Sequence, residues 1–234
     1  MTKTIKIINS LLIGFLLIGC ANNKTITEFE RILGKENSKT LTYLVQDFEN
    51  DFLADEYPNL ATDESYERFL EELIDGNGRV WQEISNESRE RFAKSTLKYE
   101  IYSVPDSVWI ERDTNKLELS YSNIPMVKTR LKVLIPDGTF EYNFSESSFN
   151  YKEPIDEDSI IKQYMNYVNV NYVGSYVRAL NSIPNKSRFL VNYLNIRDAA
   201  GIISPVIIAS RMLDSKVDFN DYFIRRLIVT EIAY

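Results

Sequence analysis

Three runs of neighbouring carboxylates carry the side chains best suited to acid–base chemistry in this sequence. They are Asp55-Glu56, Glu71-Glu72 and Asp156-Glu157-Asp158. Hydrolysis of a glycosidic bond uses two carboxyl groups, about 5–9 Å apart on the two sides of a cleft. Neighbouring residues on a helix point about 100° apart, so none of these runs forms such a pair by itself. We therefore expect solvated faces and helix caps, with Asp156 to Asp158 favouring the dipole of a following helix.

A serine and a lysine at the spacing of a catalytic pair occur in Ser95-Thr96-Leu97-Lys98. The string matches the S-x-x-K motif of serine acylating enzymes of the penicillin-binding and β-lactamase kind. Tyr121-Ser122-Asn123 and Lys128-Thr129 resemble their second and third motifs. In those enzymes, however, the serine begins a buried helix, whereas Ser95 is predicted at a helix end, and Arg130 stands where a glycine should admit substrate. We therefore expect no serine nucleophile here.

Missing residue types exclude several further chemistries. The chain has no histidine and a single cysteine, Cys20. Ser-His-Asp and Cys-His catalysis, histidine zinc sites and the usual general base near pH 7 are thereby excluded. Gly34-Lys35 lacks the upstream glycine of a P-loop, and no D-x-D-x-D-G calcium loop is present. We assign no catalytic, cofactor-binding or metal-ligating residue, and a non-catalytic protein is favoured over an enzyme.

Charge and aromatic content bear on the class of partner. The chain carries 34 acidic and 27 basic residues, a net charge of −7. Because an acidic chain repels phosphate backbones, we expect no nucleic-acid partner. Trp81 and Trp109 are the residues that could stack on a sugar, although a half-buried core position is the commoner role of tryptophan.

The N-terminal stretch MTKTIKIINSLLIGFLLIGC combines a short positive segment, with Lys3 and Lys6, and an uninterrupted apolar run from Leu11 to Gly19. A spanning helix needs about 20 apolar residues, so the run is too short to cross a bilayer. It has the length of the apolar region of a cleavable secretory signal, about 7–15 residues. The pattern predicts an exported protein whose residues 1–19 are removed.

Leu17-Ile18-Gly19-Cys20 resembles the lipobox of bacterial lipoproteins. The resemblance implies a diacylglycerol on the thiol of Cys20, cleavage before it and acylation of the new N-terminus. More than one acyl chain makes membrane anchoring stable. Ala21 replaces the aspartate that favours inner-membrane retention in some Gram-negative bacteria, which implies an outer-membrane location. The alternatives are a signal cut without lipidation and a buried N-terminal helix with an incidental cysteine.

Length and polarity suggest one domain behind this anchor. Residues 20–37 are polar and predict a linker, although Ile26, Phe29, Ile32 and Leu33 could form a short amphipathic turn. Residues 38–234 predict a single α+β domain with N-terminal helices, a central antiparallel β-meander and C-terminal helices. A chain of this size can bury roughly 70% of its surface, so neither a metal nor a disulfide is needed.

Hydrophobic periodicity locates the elements before residue 150. Spacings of three and four predict helices from Ser38, from Thr62 to a stop at Gly76, and over 85–96. Alternation from Leu97 onward predicts a hairpin turning at 113–116, and then a second one turning at Pro136-Asp137-Gly138.

Helical spacing returns in the C-terminal third. An apolar stripe runs over 161–180, where the alternation at 168–172 leaves a strand as the alternative. Residues 188–195 predict a short helix. Ser204-Pro205 predicts a helix start, and Asp218 is the expected cap of the last helix.

Two triplets, Asp106-Ser107-Val108 and Asp158-Ser159-Ile160, resemble the D-[ST]-aliphatic acceptor of O-glycosylation in Bacteroidota-type bacteria. Glycosylation there would require export. Taken together, the sequence predicts a membrane-anchored envelope lipoprotein that is a non-catalytic binding or assembly module. Its expected partners are the membrane, through the anchor, and an envelope protein or glycan. The alternative is a carboxylate-dependent hydrolase acting on glycan or peptidoglycan.

Overall fold

A computed structural model describes residues 23–76, 84–111, 126–148 and 156–234. The predicted α+β class is confirmed: helices occupy both ends of the chain and an antiparallel sheet lies between them. The N-terminal helices are α1 (residues 23–33), α2 (Lys35–Asp47), the π-helical π1 (Phe48–Leu53), α3 (Ala54–Glu56), α4 (Thr62–Ile74), α5 (Asn86–Lys94) and α6 (Thr96–Ile101). The C-terminal helices are α7 (Glu157–Met165), α8 (Ser175–Ser182), α9 (Arg188–Ala200), α10 (Pro205–Asp214), α11 (Tyr222–Ile228) and the π-helical π2 (Val229–Ala233).

Helix α1 occupies most of the segment that the sequence assigned to a linker. Phe29 and Leu33 are fully buried, and Phe29 packs edge-to-face on Phe223 with the ring centroids 5.3 Å apart. The amphipathic alternative for Ile26 to Leu33 therefore applies, because one apolar face is enough to dock a helix whose other faces are polar. Gly34, with φ of 88°, separates α1 from α2.

The helices from the N-terminal half share one aromatic cluster with the C-terminus. Helix α2 begins at Lys35, three residues before the predicted start, and continues into π1. Phe48 lies 5.1 Å from Phe69 and 5.6 Å from Tyr66 between ring centroids. Helix α4 ends as predicted, with Gly76 at a φ of 75°, but the predicted cap at Thr62 or Asp63 is wrong because Ala61 is the N-cap residue.

The sheet has the strand order β3-β2-β1-β4, with β1 (Tyr102–Glu111), β2 (Met126–Leu134), β3 (Phe140–Ser148) and β4 (Asn169–Val170). The turn at Pro136-Asp137-Gly138 is confirmed by the bond from Gly138 N to Ile135 O. Strand β2 buries alternate residues, while β3 is exposed from Phe140 to Glu146. The register pairs Arg130 with Phe144, so the aromatic residues of β3 share the outer face with the basic residues of β2.

Three local predictions are corrected. Leu97 lies in α6 rather than in a strand, and the chain becomes extended only at Tyr102. The stripe over 161–180 is two helices separated by β4. The alternative of a strand at 168–172 is therefore confirmed for Asn169 and Val170, and the continuous helix is wrong. The last helix is capped by Asp221, whereas Asp218 accepts a bond from Asn220 N in the preceding turn. The predicted turn at 113–116 lies outside the described residues.

A buried polar cluster ties the C-terminal helices to the start of the sheet. Arg197 on α9 forms an ion pair with Glu231 in π2, and their side chains are 3% and 5% exposed. The same guanidinium donates to the hydroxyl of Tyr193 and, over 3.3 Å, to Ile101 O. Burial, the largest single influence, lowers the pKa of Arg197, but Glu231 together with Tyr193 and Tyr102 raises that pKa overall. The cluster fixes α9 against π2.

No helix in the described ranges is long and apolar enough to cross a membrane.

Candidate ligand-binding cleft

Two turns meet beside the first turn of α1 and enclose a cleft of about 740 Å³. One wall is the turn between α8 and α9, over residues 183–188. The other is the turn between α10 and α11, over residues 214–221. Thr25 of α1 lies at the same cleft, so the opening belongs to the end of the domain at which the described chain begins.

The wall formed by the α8–α9 turn is basic. Lys186 Nζ donates to Asn181 O at 2.7 Å and to Ile183 O at 2.8 Å, and so satisfies carbonyls at the C-terminus of α8. Ser187 then caps α9 by accepting a bond from Leu190 N at 3.2 Å. Arg188, the first residue of α9, is exposed and lines the cleft.

The facing wall carries three carboxylates. Asp221 Oδ1 accepts bonds from the backbone N–H groups of Phe223 and Ile224 at 2.7 and 3.0 Å, which caps α11. Asp214 is exposed, and its carboxylate makes no hydrogen bond or ion pair within the part of the chain that the structure describes. Within those same ranges no ion pair joins the carboxylates to the basic residues of the opposite wall. The carboxylates of this wall, which also carries Lys216, therefore line the cleft without pairing with the basic residues of the α8–α9 turn.

Each wall contains one non-glycine residue in the left-handed backbone region, which asparagine tolerates and which is unfavourable for lysine. Asn185 has a φ of 50° and Lys216 a φ of 48°, and in the described ranges they are the non-glycine residues with positive φ. Lys216 follows the end of α10, where Val217 N bonds to Met212 O at 3.3 Å in the arrangement that usually selects glycine. Strain of this kind concentrates at functional sites, so its position at one cleft supports a role for the cleft.

A smaller cavity of about 170 Å³, apolar over much of its lining but also bordered by Asn192, Arg211 and Ser215, continues from the cleft between α9 and α10. Phe189 and Asp214 line both spaces. The apolar lining consists of Phe189, Tyr193, Ile196, Ile203 and Ile208. A charged cleft joined to an apolar cavity is suited to a ligand that is polar at one end and apolar at the other.

A groove of a different character, about 350 Å³, lies between the sheet and α7. Its lining is uncharged and presents hydroxyl, amide and tyrosine groups, namely Thr129, Leu131, Ser145, Ser147, Gln163, Tyr164, Tyr167, Val168 and Asn169. Such groups suit a neutral polar ligand better than an ionic one.

The three carboxylate runs do not form an acid–base pair. Asp55 and Glu56 are exposed on α3. Glu71 and Glu72 form ion pairs with Arg68 of their own helix, at 3.3 and 2.9 Å. Asp156 caps α7 by accepting a bond from Ser159 N at 3.1 Å, as expected for a helix start.

One carboxyl pair was missed by the sequence analysis. Asp51 in π1 is exposed and lies four residues after Asp47, the last residue of α2. Desolvation, and then the neighbouring Asp47 carboxyl, raise the pKa of Asp51 above its usual range. The i,i+4 spacing puts both groups on one helical surface rather than across a cleft. The i,i+4 spacing of Asp47 and Asp51 is the sequence signal that indicates this pair.

The other sequence candidates are dispersed. Cys20, Trp81 and Tyr121-Ser122-Asn123 lie outside the described residues. Ser95 ends α5, donating to Phe92 O at 2.7 Å, and is also the N-cap residue of α6, so the prediction that it stands only at a helix end is wrong in part. Trp109 is half-exposed on β1 and contacts Phe144 edge-to-face, with the centroids 6.4 Å apart. Within the described ranges no group of three or more carboxylate or thiol residues could hold a metal ion.

The cleft was also invisible to sequence reasoning. Its two turns are separated by the whole of α9 and α10, and no motif marks them. Comparison of the chain with protein-family models, curated proteins and solved structures found no match.

Proposed function

We propose that the protein is an envelope lipoprotein, lipidated at Cys20, whose folded domain is a non-catalytic binding or assembly module at the membrane surface. The observation that carries the proposal is the short distance in sequence between the lipobox and the folded domain. Cys20 precedes the first described residue of α1 by three positions. Three residues span at most about 10 Å in any conformation.

A lipid on Cys20 would therefore hold the domain directly against the bilayer. Helix α1 is packed through Phe29 and Leu33, so it cannot act as a slack spacer. The cleft beside Thr25 would open close to the membrane surface. Ala21 after the anchor favours the outer membrane.

A binding role is supported by the arrangement of charge. The described carboxylates that are buried serve structural contacts, such as Glu231 with Arg197 and Glu49 with Arg225. At the cleft, Arg188 and Asp214 are exposed, and neither forms an ion pair within the described ranges. A module that binds a ligand needs charged groups that are accessible in its cleft. A glycoside hydrolase instead needs two carboxyl groups on the two sides of the bond that it cleaves.

Mass spectrometry of the mature N-terminus tests the anchor. We expect a diacylglyceryl-modified and acylated Cys20, in the outer-membrane fraction on membrane separation. The Cys20→Ser protein should keep its signal or be released from the membrane. An unmodified N-terminus beginning elsewhere, or a Cys20→Ser protein that is processed and fractionates as before, would refute the assignment.

Crosslinking followed by mild detergent extraction tests the binding role. We expect a discrete partner or glycan to be recovered with the lipidated protein. Failure to recover any bound component, with full extraction of the lipoprotein, would count against a binding or assembly module.

The alternative, a carboxylate-dependent hydrolase on glycan or peptidoglycan, has the Asp47–Asp51 pair in its favour because one carboxyl has a raised pKa. It predicts release of soluble fragments from purified sacculi and loss of that release in the Asp51→Asn variant. Equal activity of the wild type and Asp51→Asn would exclude this pair as the acid and base.

A further inference from the structure

We propose that the cleft binds the headgroup of a zwitterionic phospholipid, one that carries a phosphate and a primary ammonium, from the bilayer that holds the anchor. This inference rests on the proposed function for the position of the membrane. The ligand chemistry is argued from the cleft itself.

Proximity is the first argument. Thr25 lies at the cleft and two positions into α1. Cys20 is three positions from the first described residue of α1 and five from Thr25, so Thr25 lies within about 15 Å of an anchor on Cys20. The headgroup layer of the same membrane is therefore the most concentrated source of charged ligand at this opening.

Charge is the second argument. Lys186 and Arg188 form one wall, and Asp214, Asp218 and Asp221 lie on the other. With Lys216, the lining has equal numbers of cationic and anionic side chains. A purely anionic headgroup would meet the carboxylates unfavourably, whereas a zwitterion places its phosphate at the basic wall and its ammonium at the acidic wall.

The third argument is that Arg188 and Lys216, the two exposed cations at the cleft, occupy positions where their residue types lower the stability of the fold. Arg188 is the first residue of α9, where a positive charge opposes the helix dipole. Lys216 holds a left-handed conformation that glycine adopts at lower cost. Residues that are locally unfavourable for folding tend to occur at functional sites. Here both such residues place a cation in the same cleft.

The apolar cavity supplies the fourth argument. It adjoins the cleft at Phe189 and lies between α9 and α10. A headgroup in the cleft can direct the first part of its glycerol and acyl region into this cavity. Free phosphoethanolamine lacks that part, so the phospholipid should bind more tightly than the soluble headgroup.

A primary ammonium is favoured over a quaternary one because carboxylates accept hydrogen bonds. The exposed Asp214 carboxylate can accept from an N–H group. A choline headgroup carries the same charge but has no N–H to donate. The cleft should therefore distinguish phosphatidylethanolamine from phosphatidylcholine.

Native mass spectrometry of the full, detergent-extracted lipoprotein tests this proposal. The protein is incubated with mixed micelles containing equal amounts of phosphatidylethanolamine, phosphatidylcholine and phosphatidylglycerol. We expect one retained phospholipid per protein, with phosphatidylethanolamine about fivefold over each competitor, as one charge-assisted hydrogen bond would give. Millimolar phosphoethanolamine should reduce retention, whereas inorganic phosphate should do so less.

Arg188→Glu should reduce retention about tenfold, because it reverses one charge at the phosphate wall. A glutamate at the first helical position suits the dipole, so loss of folding is not expected. Asp214→Ala should reduce the preference for phosphatidylethanolamine over phosphatidylcholine, because it removes the carboxylate that accepts the ammonium N–H. The matched control is Lys162→Glu, the same charge change on an exposed residue of α7, and it should leave retention unchanged.

No retained phospholipid, equal retention of the three lipids, or equal loss in Lys162→Glu and Arg188→Glu would overturn the headgroup site. The two proposals fail separately. A lipidated Cys20 without phospholipid retention would overturn only the headgroup site, whereas phospholipid retention by a protein with an unmodified N-terminus would overturn only the anchor.

Discussion

The buried polar cluster around Arg197 and the cleft beside α1 use charged side chains in opposite ways. In the cluster, Arg197 and Glu231 are in contact and almost fully removed from solvent. At the cleft, Arg188 and Asp214 are exposed, and within the described ranges neither takes part in an ion pair. A buried charge must be paired because desolvation is costly, whereas an exposed one can stay unpaired at little cost. The first region therefore secures the fold, and the second leaves its charges for a ligand.

The largest effect is expected where the buried pair is broken. Glu231→Gln leaves Arg197 as an uncompensated charge in the core, so it should lower the free energy of unfolding by about 3–5 kcal/mol. Urea denaturation followed by circular dichroism measures the loss. A change below 1 kcal/mol would show that the pair does not secure the fold.

Replacing both partners sharpens the same contrast. Arg197→Met combined with Glu231→Leu removes both charges and keeps apolar volume, so its cost should be less than half that of Glu231→Gln. The comparison uses the same urea series. A double variant as unstable as Glu231→Gln alone would mean that packing of these side chains, rather than their charge, dominates.

High pH should lower the free energy of unfolding through the tyrosines at the buried polar cluster around Arg197. Burial raises the pKa of Tyr102, Tyr176 and Tyr193 above 10 in the folded protein. In the unfolded chain these groups ionise near pH 10, so their contribution to stability is complete below that pH and is lost as the pH rises above it. Tyr176→Phe, which removes the 2.7 Å bond to Thr230, should cost about 1 kcal/mol at pH 7 and reduce the alkaline loss. An unchanged alkaline slope would contradict this.

The smallest change in the free energy of unfolding is expected at the cleft, where the substitution should stabilise the protein. Lys216→Gly should raise the free energy of unfolding by about 0.5–1 kcal/mol, because glycine adopts the positive φ at less cost. Lys98→Gly, in the interior of α6, is the matched control and should lower stability by about 1 kcal/mol. If Lys216→Gly destabilises as Lys98→Gly does, no strain is held at this turn.

Local patterns explain which parts of the fold the sequence could predict. The end of α4 follows from Gly76, and the β2–β3 turn follows from Pro136-Asp137-Gly138, because such stops and turns depend on neighbouring residues. The cap of α4 was misplaced, since Ala61 rather than Thr62 precedes its first turn. Leu97 was misassigned because six helical residues before a strand give too short a periodic signal.

Tertiary contacts explain what the sequence could not provide. Phe29 looked like part of a linker because its helix carries only a narrow apolar face, and its burial depends on Phe223 at the far end of the chain. The cleft depends on the meeting of two turns, so Arg188 and Asp214 had no visible relation. The lipobox, by contrast, is a contiguous motif, and lipidation of Cys20 stays a prediction.

The docking of α1 has a mechanical consequence. If Cys20 is embedded in the membrane, a force that pulls the domain outward reaches Phe29 through fewer than ten residues. That ring is wedged among Tyr176, Tyr222 and Phe223. Under such a force, either the lipid leaves the membrane or α1 detaches from the core, and the weaker of these two attachments is lost first.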